Sequence, residues 1–226
     1  MCGRFTLVDP DAIDLADLAA RPANPTLVSR YNIAPTQSVA VVANTFPRAV
    51  TRMRWGLVPS WAADLSIGSR LVNARSETVV TKPAFRALVR TRRCVVLADG
   101  FYEWRREGRH ARGVLFRMRS RRPFAFAGLW DTWRGGDGTA VESCTILTTT
   151  PNALVAPLHD RMPVILRRGH LDAWLSPLAL AGDPDGAWFE PWPEDELDAV
   201  EVGDAVNRAG YDAPDCIEPR PLSRLL

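Results

Sequence analysis

The sequence predicts an α+β fold with a curved, barrel-like, mostly antiparallel β core and peripheral helices. Short runs rich in apolar and β-branched residues recur along most of the 226 residues, whereas segments with helical periodicity are few and short. Hydrophobic residues make up 46% of the chain and charged residues 24%, which is the balance of an ordinary globular protein. Because this length suffices for one large core, we expect a single domain over residues 1–226.

The predicted elements begin with a helix, because Asp9 is a suitable N-cap and Pro10 suits a first helical turn. Apolar residues up to Ala19 could form one face of this helix. Strands then dominate, with candidates at 39–43, 49–55, 94–98, 101–105, 114–119, 124–130, 144–149 and 163–166. Further helices are predicted at 83–91, at 151–156 with Thr150 as cap and at 169–175, and turns or surface loops at 134–138 and 181–186.

Composition excludes several classes of protein. No apolar run approaches the roughly 20 residues that cross a bilayer, and the start of the sequence lacks the pattern of a signal peptide. We therefore expect a cytoplasmic protein with no membrane partner. The four cysteines are far apart and form no CxxC pair, so neither a zinc site nor a disulfide framework is predicted, and we expect no metal or other cofactor. We also expect a monomer.

The charge of the chain gives only a slight indication of nucleic-acid binding, since the net charge is +2 and the pI about 8.5. Lys82 is the only lysine, and all other basic side chains apart from histidine are arginines. Guanidinium groups suit bidentate contacts with phosphate. A GC-rich genome, which favours arginine codons, explains the same composition equally well.

The chemistry begins at Cys2, because a small second residue commonly permits removal of Met1. The exposed 1,2-aminothiol would combine an amine of pKa roughly 7.7 to 8.0 with a thiol of pKa roughly 8.5. Such an amine can form a Schiff base with an aldehyde, and the neighbouring sulfur can then close a thiazolidine ring. An internal cysteine cannot form this product. Cysteine at position two is nonetheless a weak signal when taken alone.

A series of ordered motifs accompanies Cys2. The chain starts with MCGRF and continues with RYNIAPTQ (30–37), WGLVPSW (55–61), NARSET (73–78), ADGFYEW (98–104), AGLWDTW (127–133), LTTTPN (147–152) and LHDRMPVIL (158–166). Together these motifs resemble the SRAP family over most of the chain, which implies the SRAP fold. Members of this family are described as sensors of abasic sites in single-stranded DNA, and bacterial members are often labelled SOS-response-associated peptidases.

The resemblance implies four catalytic residues. Cys2 would be the nucleophile, Asn73 a polar anchor in the pocket, Glu103 a proton shuttle and His159 an acid or base. Glu103 lies in an aromatic strand, where partial burial would raise its pKa and let it both donate and accept protons. A titrating imidazole at His159 could protonate the sugar oxygen and promote ring opening to the aldehyde.

The resemblance also implies a DNA-binding surface. Within the matched motifs, Arg4, Arg75 and Arg161 could hold successive phosphates. Pro35 and Trp61 resemble positions that pack against bases, and Thr148 could line the pocket through its hydroxyl. Two residues depart from the family pattern, since Ala62 stands where some relatives have an aromatic residue and Gly203 where serine is frequent.

The function that follows is covalent crosslinking of processed Cys2 to abasic sites in single-stranded DNA through a Schiff base and a thiazolidine ring. The adduct would shield the lesion from strand cleavage, and weak lyase activity would accompany failure of ring closure. Single strands are the expected partner because they can bend and present the aldehyde to a recessed cysteine. One alternative is a thiol peptidase in which Cys2 cleaves its own Met1 or a peptide substrate, with His159 as base. Another is a noncatalytic single-stranded DNA-binding module.

Overall fold

A computed structural model of the chain describes residues 3–24, 26–108, 110–180, 184 and 186–220. Strands dominate this part of the chain, and the helices are short. The α-helices are α1 (Leu88–Thr91) and α2 (Arg168–Trp174), and several single 3-10 turns connect other elements. The strands are β1 (Phe5–Leu7), β2 (Arg30–Ile33), β3 (Ser38–Ala43), β4 (Val50–Trp55), β5 (Asn73–Arg75), β6 (Arg93–Ala98), β7 (Gly100–Glu107), β8 (His110–Met118), β9 (Phe124–Arg134), β10 (Ala140–Thr149), β11 (Met162–Pro163) and β12 (Leu197–Glu201).

Five of these strands close into a barrel in the order β4, β3, β6, β9 and β10. Neighbours along this path pair antiparallel, and β10 closes the ring by pairing in parallel with β4, where Cys144 lies opposite Trp55. The inward faces are apolar, as in β6, all of whose residues are buried. The predicted α+β class with a barrel-like, mostly antiparallel core is confirmed.

The second sheet is antiparallel and has the order β12, β8, β7, β1 and β2. It brings the start of the chain against β7, since Phe5 pairs with Phe101. Phe5 is fully buried, and its ring packs edge-on against Trp55 of the barrel at 5.1 Å and Phe126 at 5.8 Å between centroids. Because these three rings come from both sheets, the short strand β1 is fixed where the two sheets meet.

Local side-chain chemistry shortens one of the predicted helices and replaces another by turns. The first helix is only a 3-10 turn, Pro10–Ala12, because Asp14 Oδ1 accepts hydrogen bonds from the amides of Ala16 and Asp17 and favours a turn there. The helix predicted at 151–156 was wrong, since this segment forms turns: the Ala156 amide donates to the Asn152 carbonyl, but Pro157 has no amide hydrogen with which to continue the helical pattern.

The remaining predictions differ mainly in their ends. Of the helix predicted at 83–91 only α1 is α-helical, whereas the helix predicted at 169–175 corresponds to α2. The strands β1, β2, β5 and β12 were not predicted. The turn at 134–138 joins β9 to β10, and most of the loop at 181–186 lies outside the described residues. Among the described residues, no helix is both long and apolar enough to span a bilayer.

Candidate active site and nucleic-acid groove

Strand β1 places the start of the chain beside Glu103. Cys2 itself lies outside the described residues, and Gly3 is the first residue that the structure describes. The carbonyl of Arg4 accepts a hydrogen bond of 3.0 Å from the Tyr102 amide, which extends the pairing of Phe5 with Phe101 by one residue. Extending this antiparallel register by one more residue places Gly3 opposite Glu103.

Glu103 is a buried carboxyl group in the middle of β7. The residue is only 3% exposed, and its Oε1 has no hydrogen-bond partner among the described residues. Burial raises the pKa of Glu103 to about 7, and the negative charge of Asp160 acts in the same direction. Near neutral pH the group is thus divided between its acid and its carboxylate, which suits both donation and acceptance of a proton.

His159 lies half-buried between two competing partners. Its Nδ1 accepts a hydrogen bond of 2.9 Å from the Arg161 amide, and the same nitrogen is 2.9 Å from Asp160 Oδ1. The first contact requires Nδ1 without a proton, whereas the second is attractive only when Nδ1 carries one. Burial lowers the pKa of His159, while the carboxylate of Asp160 opposes that shift. A proton on Nδ1 therefore favours the contact with Asp160, whereas Nδ1 without a proton favours the hydrogen bond from the Arg161 amide.

Arg161 anchors this loop to the barrel. Its two terminal nitrogens bind both carboxylate oxygens of Glu77 at 2.6 and 2.8 Å, and Nη2 also donates to the carbonyl of Thr148 at 2.5 Å. The Arg161 side chain is 8% exposed, whereas that of Glu77 is half-exposed. A DNA phosphate would have to compete with Glu77 for this guanidinium, and the phosphate role of Arg161 stays a prediction.

The other predicted polar groups lie on β5 and β10. Thr148 is fully buried and its hydroxyl donates to the carbonyl of Ala74 at 3.4 Å. Asn73 pairs with Ile146 of β10 and is half-buried at the base of a surface groove. Because Arg161 binds the carbonyl of Thr148, β10 connects the Asn73 strand to the His159 loop.

The groove above Asn73 encloses about 540 Å³ and carries an aromatic side chain with three cations. Trp61 is 64% exposed, although it is a large apolar residue. Arg70, Arg75 and Lys82 are also exposed, and none of them forms an ion pair with a described residue. The full lining is Trp61, Ile67, Arg70, Leu71, Asn73, Arg75, Thr78, Lys82, Pro83, Ala84 and Phe85. An exposed aromatic ring beside free cations is the pattern of a groove that binds single-stranded nucleic acid.

Sequence reasoning missed two of these cations, Arg70 and Lys82. They lie outside the recognised motifs, and only the fold brings them into the same groove as Trp61. The sequence contained one indication for Lys82, because it is the single lysine of an arginine-rich chain. Sequence reasoning also missed Glu77 and Asp160, which contact the side chains of predicted site residues.

Arg4 and Pro35 do not line this groove. Arg4 donates to Asn32 Oδ1 at 2.7 Å and to the Val206 carbonyl at 2.9 Å, and its guanidinium lies 5.7 Å from the ring centre of Trp104. Burial lowers its pKa. Pro35 is half-buried in a turn that continues into Thr36, whose φ of +71° is unusual for a β-branched residue. The DNA contacts of both residues stay predictions.

The described residues contain no group of three or more His, Cys, Asp or Glu side chains that could hold a metal ion. Of the two departures from the family pattern, Ala62 adjoins Trp61 and its carbonyl accepts from Trp133. Gly203 pairs through its amide with the carbonyl of Glu218, and open space surrounds its α-carbon.

Comparison with known proteins agrees with this architecture. The sequence model described as SOS response associated peptidase (SRAP) matches residues 1–209. Abasic site processing protein YoaM of Bacillus subtilis (strain 168) is 38% identical over 211 residues, which cover 92% of this chain and 93% of YoaM. Abasic site processing protein YoqW of the same organism is 36% identical over 222 residues, covering 96% and 99%.

A solved structure of a protein from Bacteroides thetaiotaomicron has the same fold, with a TM-score of 0.85 over 97% of this chain and 100% of that one. Its sequence identity is 24%, so it supports the fold alone. The match to the family model covers all the described site residues, from Arg4 to Arg161. The chain therefore belongs to the SRAP family.

Proposed function

We propose that this protein captures abasic sites in single-stranded DNA by bonding Cys2 covalently to the aldehyde of the lesion. Two similar proteins, YoaM and YoqW, are named abasic site processing proteins. The observation that carries the proposal is Glu103, a buried carboxyl group with an unpaired oxygen and a pKa of about 7. A buried carboxyl oxygen without a hydrogen bond destabilises a protein, so the presence of this group alongside Gly3 supports a role in proton transfer.

The first step is opening of the sugar ring. An abasic deoxyribose is mainly a closed hemiacetal, and its aldehyde forms when the ring oxygen gains a proton while the C1′ hydroxyl loses one. His159 is suited to give the proton to the ring oxygen, because its imidazole is half-buried and bound to a loop held by Arg161. Asp160 stabilises the protonated imidazole that delivers this proton.

Imine formation follows once the α-amine of Cys2 attacks C1′. The carbinolamine loses its hydroxyl group as water, for which the oxygen must gain a proton and the nitrogen must lose one. Glu103 can supply the first proton as an acid and accept the second as a carboxylate, because its pKa is close to neutral. Asn73, at the base of the groove, is suited to hold the sugar oxygens by hydrogen bonds.

Ring closure completes the adduct. The Cys2 thiolate adds to the imine carbon, the nitrogen gains a proton, and the product is a thiazolidine in which C1′ is bonded to both sulfur and nitrogen. Overall, one water leaves and no oxidant or reductant is needed. The three other cysteines, Cys94, Cys144 and Cys216, are buried, and burial raises the pKa of each thiol. This supports Cys2 as the thiol that reacts.

The imine is also a branch point. Loss of the C2′ proton from the imine would break the bond to the 3′ phosphate by β-elimination, which is a lyase reaction. Thiazolidine closure removes the imine and so competes with this cleavage. We expect Cys2→Ser, which keeps the amine but loses the sulfur, to shift the outcome from a stable adduct toward strand cleavage.

Removal of Met1 is a condition of this mechanism, because an acylated Cys2 nitrogen cannot form an imine. Autocatalytic removal would use the Cys2 thiol as nucleophile with Glu103 or His159 as the proton acceptor. If removal is autocatalytic, Glu103→Gln or His159→Ala should retain Met1. If a host aminopeptidase removes the residue, both variants should start at Cys2.

Intact-mass analysis of the protein mixed with a single-stranded oligonucleotide that contains one abasic site tests the proposal. The expected product has the mass of the protein without Met1 plus the oligonucleotide minus one water. Cys2→Ala should give no such product, whereas Cys144→Ala, which changes a fully buried thiol, should react as the wild type does. The proposal fails if the wild type forms no adduct, if Cys2→Ala forms the same one, or if the adduct retains Met1.

A further inference from the structure

One face of the hairpin formed by β9 and β10 binds the loop that carries Trp61, both before and after this residue. Asp131 and Ser143 lie opposite each other in this hairpin. Asp131 Oδ2 accepts a hydrogen bond of 2.8 Å from the Ser60 amide, and the Ser143 hydroxyl accepts one of 2.8 Å from the Val58 amide. Two alternate amides before Trp61 are thus bound to side chains of the barrel.

A third bond fixes the loop on the other side of Trp61. Trp133 lies two residues after Asp131 on β9, and side chains two residues apart project from the same face of a strand. Its indole Nε1 donates to the carbonyl of Ala62 at 2.8 Å. The Ala62 amide in turn donates to the carbonyl of Pro59 at 2.9 Å, which closes the loop on itself. The backbone is therefore bound at the residue before Trp61 and at the residue after it.

Asp131 is held in place as well. It is 3% exposed, and its Oδ1 accepts from Arg92 at 2.9 Å and from the Thr132 amide at 2.8 Å. Arg92 packs over the ring of Trp130, 5.1 Å from its centre. A buried carboxylate with three donors is a rigid acceptor for the Ser60 amide. The exposed ring of Trp61 consequently stands on a backbone that has little freedom to move.

We propose that Asp131 and Trp133 are positioning residues that hold Trp61 as the base-stacking surface of the groove. Stacking requires the ring to stay parallel to a base, so a ring fixed before binding loses less conformational freedom than a mobile one. Trp61 has the exposure that stacking needs, and it lines the same groove as Arg70, Arg75 and Lys82. This inference rests on the binding of single-stranded DNA in the proposed function, and it adds two residues that touch neither DNA nor the reacting atoms.

A double-mutant cycle on undamaged single-stranded DNA tests the inference, since no aldehyde is present and only noncovalent affinity is measured. Trp133→Phe keeps an aromatic ring and removes the N–H group that binds Ala62. We expect Trp61→Ala to weaken binding about tenfold and Trp133→Phe about threefold, because stacking contributes a factor of this order per base. The double variant should bind like Trp61→Ala alone, since Trp133 acts through Trp61.

Trp174→Phe is the matched control. It also removes a hydrogen bond from an indole N–H to a backbone carbonyl, but that carbonyl belongs to Cys94 of β6, at 2.9 Å, and not to the loop. It should bind DNA as the wild type does. The inference is overturned if Trp133→Phe binds like the wild type, if the two losses multiply in the double variant, or if the wild type does not bind undamaged strands. Binding that follows the expected cycle without any adduct at abasic sites would refute the covalent mechanism and leave this inference standing.

Discussion

Glu103 is the residue at which stability and proposed chemistry oppose each other. Its side chain is buried on β7, and Oε1 has no hydrogen bond from a described residue. A glutamine or an apolar residue would avoid the cost of burying a charge. An acid that must change protonation during a reaction cannot avoid it, because the same burial brings its pKa to about 7.

The stability of the protein should therefore depend on pH through Glu103. The folded pKa is raised from 4.5 to about 7, so stability is fully present below about pH 4.5 and declines as pH rises through 7. A shift of this size corresponds to a loss on the order of 3 kcal/mol. Glu103→Gln should remove this loss, so that the variant is more stable than the wild type at pH 8 and not at pH 4.5. It should also slow adduct formation about 100-fold.

Urea unfolding of both proteins at pH 4.5 and pH 8 measures the first effect, and the rate of adduct formation measures the second. Glu142→Gln, which changes an exposed carboxylate on β10, is the control and should leave both quantities unchanged. A Glu103→Gln variant that loses stability at pH 8, or that reacts at the wild-type rate, would contradict the role given to this carboxyl group.

At the scale of elements, strand β1 is only three residues long, yet its pairing with β7 sets Gly3 alongside Glu103. Its position depends on Phe5, whose ring is fully buried between Trp55 and Phe126. Phe5→Ala should lower the free energy of unfolding by about 3–5 kcal/mol, because it opens a cavity where the two sheets meet. Phe46→Ala removes a ring that is 89% exposed and should change the free energy of unfolding by less than about 0.5 kcal/mol.

Urea unfolding at one pH compares these two variants. Equal stabilities of Phe5→Ala and Phe46→Ala would show that β1 is not anchored by its aromatic contact. A Phe5→Ala variant that stays folded should also form the adduct more slowly than Phe46→Ala, since a less firmly held β1 no longer keeps the chain start beside Glu103.

The elements that could be predicted from sequence are those whose pattern is long enough to be read locally. Strands such as β6 and β9 carry continuous apolar runs and were predicted with small errors at their ends. The strands β1 and β5 have three residues each, and only pairing with distant strands defines them. The helix predicted at 151–156 failed because Pro157 has no amide hydrogen and ends the helical bonding pattern after the bond from Ala156 to Asn152.

The candidate site follows the same division. Burial of Glu103 was predicted from the aromatic residues around it, and the structure agrees. The ion pair of Glu77 with Arg161 joins residues 84 positions apart, and the bond of Asp131 to the Ser60 amide spans 71 positions. No local pattern encodes such contacts, so the residues that hold the site in place could not be predicted from sequence.

At the scale of the whole molecule, the proposed site combines groups from both sheets. The antiparallel sheet contributes Glu103 and Gly3, β5 and the loops around it line the groove, and Thr148 of the barrel binds Arg161 of the His159 loop. The aromatic contacts of Phe5 join the two sheets at this point. A small net charge of +2 is compatible with DNA binding here, because the groove is lined by three cations that form no ion pair with a described residue.

The salt dependence of binding should locate this charge in the groove. Each phosphate contact on a single strand contributes about 0.7 to the slope of log affinity against log salt, through release of counterions. Lys82→Ala and Arg70→Ala should each lower that slope by about this amount, and the double variant by about twice as much. Arg121→Ala removes the same charge at a residue that is ion-paired with Asp198 of β12, so the slope should change much less. Fluorescence anisotropy with an undamaged labelled oligonucleotide at several salt concentrations gives these slopes. If Arg121→Ala lowers the slope as much as Lys82→Ala does, the salt dependence reflects the net charge of the protein and not contacts in the groove. The groove is then not where the DNA binds.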